Sequence, residues 1–211
     1  MLISRTRTLA ALAIGALITL SAPARAQAWH YPAMQPASQE PNEINVLIAG
    51  FGGDYGASFV GQYRWTVDKR TQLWADVGVS TPTGSTLFDV GIAGGWMLMT
   101  PTADRPIDLM ATLGVYGAFG DGSVIRIPIG INVGHTFVLE NKHDLKIFAY
   151  PRLSIDFCSS SCGTNANLNF DTGASYDITS AMSGRAAFTF GAVGAGSSDA
   201  GFGISLAFKT K

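Results

Sequence analysis

The stretch VIRIPIGINVGHTFVLE, residues 124–140, alternates between two kinds of side chain. From Ile125 to Leu139 the odd positions are aliphatic or aromatic except for His135, whereas the even positions are mostly polar, glycine or proline. A period of two predicts a β-strand, because successive side chains in a strand point to opposite faces. So many large aliphatic side chains on one face are unusual for a strand in contact with water. We therefore expect this face to meet an apolar environment.

The composition of the whole chain agrees with that expectation. Charged residues make up 14% of the 211 residues, whereas a soluble domain averages about 25%. Glycine is frequent, with 25 residues, and the mean hydropathy is still positive at +0.23. The net charge of −1 provides no basic surface for nucleic acid. Beyond the N-terminal region, no stretch reaches the roughly 20 apolar residues of a membrane-spanning helix.

The first 26 residues have the pattern of a secretory signal peptide. Arg5 and Arg7 precede an apolar run over residues 9–20, and Ala-Arg-Ala at 24–26 forms an A-x-A cleavage site. The apolar run is about a dozen residues long, which is too short for a membrane anchor. We predict export, cleavage after residue 26 and a flexible periplasmic lead-in over residues 27–42, where three prolines occur without any period.

The two cysteines, Cys158 and Cys162, lie in the Ser- and Gly-rich segment FCSSSCGTN. In an oxidising compartment a small disulfide loop is the favoured state of such a pair. A metal site would need four ligands, and no histidine or second cysteine pair accompanies these two residues. The sequence therefore predicts a disulfide, with free thiols as the alternative, and no metal or cofactor.

From residue 43 onward, period-two segments recur between clusters of turn residues, and no helical period is found. The turns fall at GGDYG, DKRT, STPTGS, TPTADRP, GDGS, NKHD, the cysteine segment, SAMSG and GAGSSD. They predict ten strands in up-and-down order, with eight as the alternative if the terminal hairpins are miscounted. Pro128 and Pro151 fall inside the sixth and seventh strands, where a missing N–H breaks the ladder. We expect bulges to accommodate them, unless one of these strands is shorter.

The two faces of the strands separate a membrane barrel from a soluble one. One face carries large apolar side chains along its length, for example from Phe88 to Leu98 and from Phe202 to Phe208. The other face carries charged and small residues, with many glycines. A soluble barrel would put the apolar face inside and would need many charges outside, and this chain has few. The apolar face is therefore predicted to meet lipid, and the polar face to line a crowded lumen.

Aromatic residues fall near both ends of the predicted strands, if the mature N-terminus starts in the periplasm. Those expected near the outer rim are Phe88, Phe119, Phe157, Phe170 and Phe202. Those expected near the inner rim are Tyr63, Trp65, Trp96, Phe137, Tyr176 and Phe208. Two aromatic belts around an aliphatic band are typical of outer-membrane barrels.

On these features the chain resembles the small bacterial outer-membrane β-barrel proteins, the porin-like and OmpA-OmpX-like transmembrane barrels. The resemblance covers residues 43–208 and rests on alternation, belts and turn order. It implies a single all-β, antiparallel transmembrane barrel over residues 43–211 in the bacterial outer membrane, with membrane lipid and the barrel-assembly machinery as partners. Members usually end on an aromatic residue, whereas Phe208 is followed here by three more residues, so the assembly signal is displaced.

The histidines offer no catalytic constellation. General acid–base and nucleophilic catalysis usually rely on histidine. His30 lies in the lead-in, His143 in a turn, and His135 on the apolar face near the inner belt, so none shares a rim with a serine and a carboxylate. The segment GFGGDYG lacks the spacing and the following helix of a phosphate loop, and a glycine-rich turn explains it better. We predict a protein that is not an enzyme.

Charges of both signs occur on the polar face. The predicted outer tier consists of Asp89, Arg126, Arg152, Asp156 and Asp171, and the inner tier of Arg64, Asp108, Lys146, Asp177 and Arg185, with Asp76 between them. Charges in a narrow lumen must pair, since an unpaired buried charge costs several kcal/mol. Mixed signs favour a salt-bridged plug over a selectivity filter, which usually has rings of one sign. The predicted role is structural or surface-interacting, and the alternative is a narrow channel for water or small polar solutes.

Overall fold

The structure, a computed structural model, describes residues 33–51, 56–81, 85–120, 122–159, 163–193 and 200–210. The described residues form ten antiparallel strands that close into one barrel. The strands are β1 (Glu43–Phe51), β2 (Ala57–Thr66), β3 (Thr71–Thr81), β4 (Leu87–Met99), β5 (Asp108–Phe119), β6 (Ser123–Val138), β7 (Asp144–Cys158), β8 (Thr164–Thr179), β9 (Met182–Val193) and β10 (Ala200–Lys209). The all-β, up-and-down, ten-stranded prediction is confirmed. The predicted signal peptide and Cys162 lie outside the described residues.

The connections alternate between the two ends of the barrel. One end, which we call the terminal rim, holds the start of β1, the end of β10 and the hairpins at 67–70, 100–107, 139–143 and 180–181. The other connections lie at the end that we call the opposite rim. In the hairpin at 67–70 of the terminal rim, the backbone N–H groups of Arg70 and Thr71 donate to the Asp68 carboxylate at 2.7 and 2.9 Å. The bond from Arg70 is the main cause that lowers the pKa of Asp68.

Large apolar side chains cover the outside of the barrel. In residues 124–140, Ile125 and Ile129 are 44% and 53% exposed, whereas Arg126 and Asn132 on the other face are each 1% exposed. The apolar face of β6 therefore lies on the outside of the barrel and the polar face lines the lumen, as the alternation predicts. An outer surface of this size and character is not sustained in water, since monomeric soluble proteins rarely expose large continuous apolar patches.

The strand register gathers aromatic side chains near each end. Near the opposite rim, Phe88 on β4 pairs with Phe119 on β5. Near the terminal rim, Ile44 on β1 lies between Tyr63 on β2 and Phe208 on β10. The register thus places these four aromatic residues near the ends that the sequence predicts, whereas Phe170 pairs with Pro151 in the middle of β7.

The two prolines lie in unshifted ladders. Around Pro128 the pairing between β5 and β6 skips two residue pairs and resumes in the same register. Around Pro151 the pairing between β6 and β7 also skips two residue pairs and resumes in the same register. On its other side, Pro151 stays paired with Phe170 on β8. Proline lacks one N–H, so the ladder opens on one side of the strand only. The expectation of bulges at these positions is wrong, and the register shifts lie elsewhere, in β4 between Met97 and Met99 and in the β8–β9 pairing.

Residues 33–42, which we call the inner segment, run along the lumen and reach the terminal rim, where Pro41 is exposed. The most buried of them are Met34, Gln35, Ala37 and Glu40, at 2%, 7%, 1% and 3% exposure. At the terminal rim, Asn42 Oδ1 accepts a hydrogen bond from the Thr66 backbone N–H at 2.9 Å. At mid-height, the Ala33 N–H donates to Asp171 Oδ2 at 3.3 Å. A flexible lead-in is therefore the wrong description of these ten residues, because the inner wall supplies them with buried partners.

Candidate functional site in the barrel lumen

An ion pair with two hydrogen bonds links β6 and β7 in the opposite half of the lumen. Arg126 Nε and Nη2 donate to the two carboxylate oxygens of Asp156 at 2.7 and 2.5 Å. The register places these two residues directly opposite each other, and they are 1% and 0% exposed. Asn167 Nδ2 on β8 donates a further bond to Asp156 Oδ2 at 2.8 Å. This carboxylate is thus fully enclosed by three donors on two neighbouring strands.

A second ion pair lies at mid-height between β7 and β8. Arg152 Nε is 2.9 Å from Asp171 Oδ2, and Arg152 Nη2 donates to Asp171 Oδ1 at 3.3 Å. The guanidinium carbon lies 6.0 Å from the centre of the Tyr150 ring, within the range of a cation–π contact. Because Asp171 also accepts the Ala33 N–H, this pair is the point at which the inner segment meets the wall at mid-height.

Aromatic rings fill the space between these pairs. Trp74 Nε1 donates to the Tyr116 hydroxyl at 2.8 Å, and the Tyr150 hydroxyl bonds Thr112 Oγ1 at 2.5 Å. The Tyr116 ring packs over Gly91, where an added Cβ would lie 1.9 Å from the ring. Glycine is required at this wall position because any larger residue would displace the ring.

A small cavity, which we call the central cavity, lies between the inner segment and the wall at mid-height. Its volume is about 20 Å³, and its lining includes Trp74, Asp76, Tyr116, Tyr150 and Arg152. A cavity of this size holds about one water molecule. The packing at mid-height therefore leaves little room for a solute.

The terminal half contains a carboxylate that lies between two arginines. Arg185 Nη1 and Nη2 each donate to one oxygen of Glu43 at 2.7 Å, and Arg64 Nη1 lies 3.6 Å from the same carboxylate. The side chains of all three residues are fully enclosed. Glu43 is absent from the predicted charge set, although its phase was visible, since Asn45 shares its face while Ile44 lies on the outer one.

The inner segment contributes a further acid to the lumen. Glu40 Oε1 accepts hydrogen bonds from Lys146 Nζ at 2.5 Å and from Ser38 Oγ at 2.6 Å. Asp108 on β5 is 4% exposed and interacts electrostatically with both Glu40 and Lys146. Glu40 could not be identified from the sequence, because the proline-rich segment around it has no period from which a face can be read.

The remaining predicted charges take neutral or peripheral partners. Gln62 Nε2 donates to Asp76 Oδ1 at 2.7 Å, and the Ser80 hydroxyl donates to Asp89. At the terminal rim, Lys209 Nζ lies 2.9 Å from Asp177, and both side chains are partly exposed. Asp89 and Asp108 form no ion pair within the described part of the chain.

The two described histidines lie on the outside of the barrel, away from the lumen. His135 packs edge-on against Phe137, with ring centres 4.2 Å apart, and His143 stacks on Tyr176 at 5.8 Å. Across the ranges that the structure describes, no cluster of three His, Cys, Asp or Glu side chains is suited to a metal ion. In the same ranges, no helix has the length and apolar character needed to cross a membrane.

Comparison with known proteins shows the fold. No family model and no curated protein matches the chain. A bacterial polysaccharide outer membrane secretin matches with a TM-score of 0.50 and 9% identity, over 74% of this chain, which spans 57% of that one. The KdgM porin matches with a TM-score of 0.42 and 5% identity, over 80% of this chain and 99% of the porin. The N-terminal β-barrel domain of Pseudomonas aeruginosa OprF matches with a TM-score of 0.39 and 10% identity, over 81% of this chain and 97% of that domain. The predicted resemblance to outer-membrane β-barrel proteins is confirmed at the level of the fold.

Proposed function

We propose that this protein is an integral outer-membrane barrel whose lumen is closed and whose role is structural or surface-interacting. The central cavity of about 20 Å³ carries the proposal, because it is too small for a solute larger than water. Around it, most of the buried charges lie in ion pairs, and breaking such a pair leaves an uncompensated charge. A lumen of this kind favours a rigid barrel and blocks a continuous aqueous path.

The outer surface supports the membrane location. Leu153 and Ile155 on β7 are 50% and 39% exposed among many other aliphatic side chains. With aromatic residues near both rims, this band suits a bilayer better than water. We place the terminal rim in the periplasm, after export with a cleaved signal peptide over residues 1–26, and we infer that the barrel-assembly machinery inserts the chain.

A non-catalytic role agrees with the chemistry of the lumen. The carboxylates of Asp156, Asp171 and Glu43 are each held in a buried ion pair with an arginine, so they serve the packing of the lumen. His135 and His143 lie on the outside, beyond reach of these groups. We therefore assign the charged residues to closing the lumen.

We also propose the Cys158–Cys162 disulfide at the opposite rim. The Cys158 N–H donates to the Gly163 carbonyl at 3.1 Å, so the hairpin between β7 and β8 is already closed beside the cysteine pair. Export to an oxidising compartment favours the bridge.

A narrow water path is the second candidate. It is favoured by buried polar atoms for which the described residues offer no hydrogen-bond partner, among them the Asn45 amide, Gln62 Oε1 and Ser205 Oγ on three adjacent strands. Such groups commonly bind ordered water. A file of waters would carry osmotic flow without carrying solutes.

Proteoliposomes separate these possibilities. The full chain should first fractionate with outer membranes and show heat-modifiable migration on a gel. A closed barrel then gives swelling and shrinking rates equal to those of empty liposomes in glycine or small sugars. Faster osmotic shrinkage without solute entry would establish the water path, whereas entry of sugars would refute the closed lumen.

A further inference from the structure

We propose that the inner wall of the barrel is a peptide-binding site and that the inner segment, residues 33–42, occupies it in cis. The proposal rests on the closed lumen argued above and identifies the segment that closes it. The ligand class is an extended peptide that carries a large apolar side chain and, six positions later, an acidic one.

The first ground is main-chain recognition at the terminal half. Thr66 Oγ1 and Gln72 Nε2, on β2 and β3, both donate to the Glu40 carbonyl oxygen, at 2.8 and 2.6 Å. Glu40 is therefore held through its backbone by two wall side chains, besides the contact of its carboxylate.

Wall side chains also donate hydrogen bonds to main-chain carbonyls nearer the start of the inner segment. Asn132 Nδ2 on β6 donates to the Gln35 carbonyl at 2.8 Å, and Arg64 Nη2 on β2 donates to the Pro36 carbonyl at 3.3 Å. Wall side chains thus serve carbonyls at three positions of the segment. Since every peptide has these carbonyls, the wall can hold an extended peptide largely without regard to its sequence, as in other modes of peptide recognition.

Two side-chain anchors supply the specificity. The Met34 side chain fills a depression over Gly203, where an added Cβ would lie 2.6 Å from Met34 Cε and 3.1 Å from Leu47 Cδ1. At the other end, Glu40 pairs with Lys146 at 2.5 Å. An apolar anchor and a charged one fix both the register and the direction of the bound segment.

The inner segment resembles a bound ligand because it pairs with no strand of the barrel. None of its ten residues belongs to a strand, and its described covalent link to the barrel is the peptide bond to Glu43. It can therefore leave the lumen without breaking any strand pair. The barrel that remains would have a vacant groove along its wall.

A charge swap in the full chain tests the site in cis. Lys146→Glu sets three carboxylates against one another, since Asp108 and Glu40 already interact with this position. We expect the segment to be expelled, and ion current across planar bilayers to appear where the wild type passes none. Lys146→Glu combined with Glu40→Lys should close the barrel again. Heat-modifiable migration verifies folding of each variant, and Met34→Asp, which leaves the wall intact, replaces Lys146→Glu if the latter does not fold.

Synthetic peptides test the site in trans. A peptide of residues 33–42 that carries Glu40→Lys should block the open Lys146→Glu barrel at least about tenfold more tightly than the native peptide, a difference of about 1.4 kcal/mol. Neither peptide should bind the wild type, whose site is already filled. A folded Lys146→Glu barrel that stays closed and binds neither peptide overturns the peptide site. A wild type that conducts ions overturns the closed lumen itself.

Discussion

Removal of Arg126 from its buried ion pair with Asp156 should destabilise the barrel strongly. In Arg126→Met the Asp156 carboxylate, which is 0% exposed, loses two hydrogen bonds of 2.7 and 2.5 Å and keeps only the bond from Asn167. Breaking a buried pair by removing one partner costs about 3–5 kcal/mol. Since Asn167 still donates one bond, we expect a value near the lower end, at about 3 kcal/mol.

The measurement is the free energy of unfolding in urea, with the barrel folded into lipid vesicles. Arg105→Met is the matched control, because Arg105 is exposed in a hairpin and its loss should change stability by less than about 0.5 kcal/mol. A double variant, Arg126→Met with Asp156→Leu, should recover part of the loss, because the orphaned carboxylate is gone.

The reasoning would be refuted by a loss in Arg126→Met no larger than in Arg105→Met. That result would mean that water reaches the Asp156 carboxylate, as it does in an open lumen. A double variant as unstable as the single one would show that the loss does not come from the unpaired charge.

The remaining predictions concern the outer face, the lumen packing and the cysteines. Ile129→Arg, in the middle of the lipid band, should cost about 2–4 kcal/mol in bilayers, whereas Ile125→Arg, on the same face near the start of the strand, should cost about 0–1; equal costs would put the band elsewhere. Gly91→Ala should cost about 1–3 kcal/mol through overpacking, and Gly50→Ala, where a Cβ would meet nothing within 4 Å, should be tolerated; similar unfolding curves would contradict the packing. The two cysteines should resist thiol reagents until reduced, and reduction should cost at the low end of the usual ~0–5 kcal/mol and leave the barrel folded; readily labelled thiols in native cells would refute the bridge.

Period-two alternation was sufficient to predict the fold. A one-residue shift would move a whole apolar face into the lumen, so the faces of β4, β6 and β7 specify their register strongly. Arg126 and Arg152 contact acids on the neighbouring strand. The sequence already suggests these contacts, because both partners lie on the polar faces of adjacent strands. The partner of Arg185 was harder to predict, because Arg185 lies on β9 and Glu43 on β1, with β10 between them. The Arg185 side chain crosses β10 over the small residues Ser205 and Ala207.

The inner segment could not be placed from the sequence. Its burial depends on room left by wall glycines such as Gly203 and on donors from distant strands, and neither is encoded in its own local pattern. This also bears on Asn132, since the alternation alone gives no reason to expect an effect of Asn132→Ser. Because Asn132 is 1% exposed and donates to the Gln35 carbonyl, we now expect that substitution to weaken the hold on the segment.

Ion current through single barrels in a planar bilayer tests the closed lumen most directly. The wild type should pass little or no current, and Arg152→Ala combined with Asp171→Ala should open a measurable conductance. Arg152 lines the central cavity, and Asp171 is its ion-pair partner and the acceptor of the Ala33 N–H. If the wild type already conducts and Arg152→Ala alters only the ion preference, the lumen is a filter and the account of a closed barrel is contradicted.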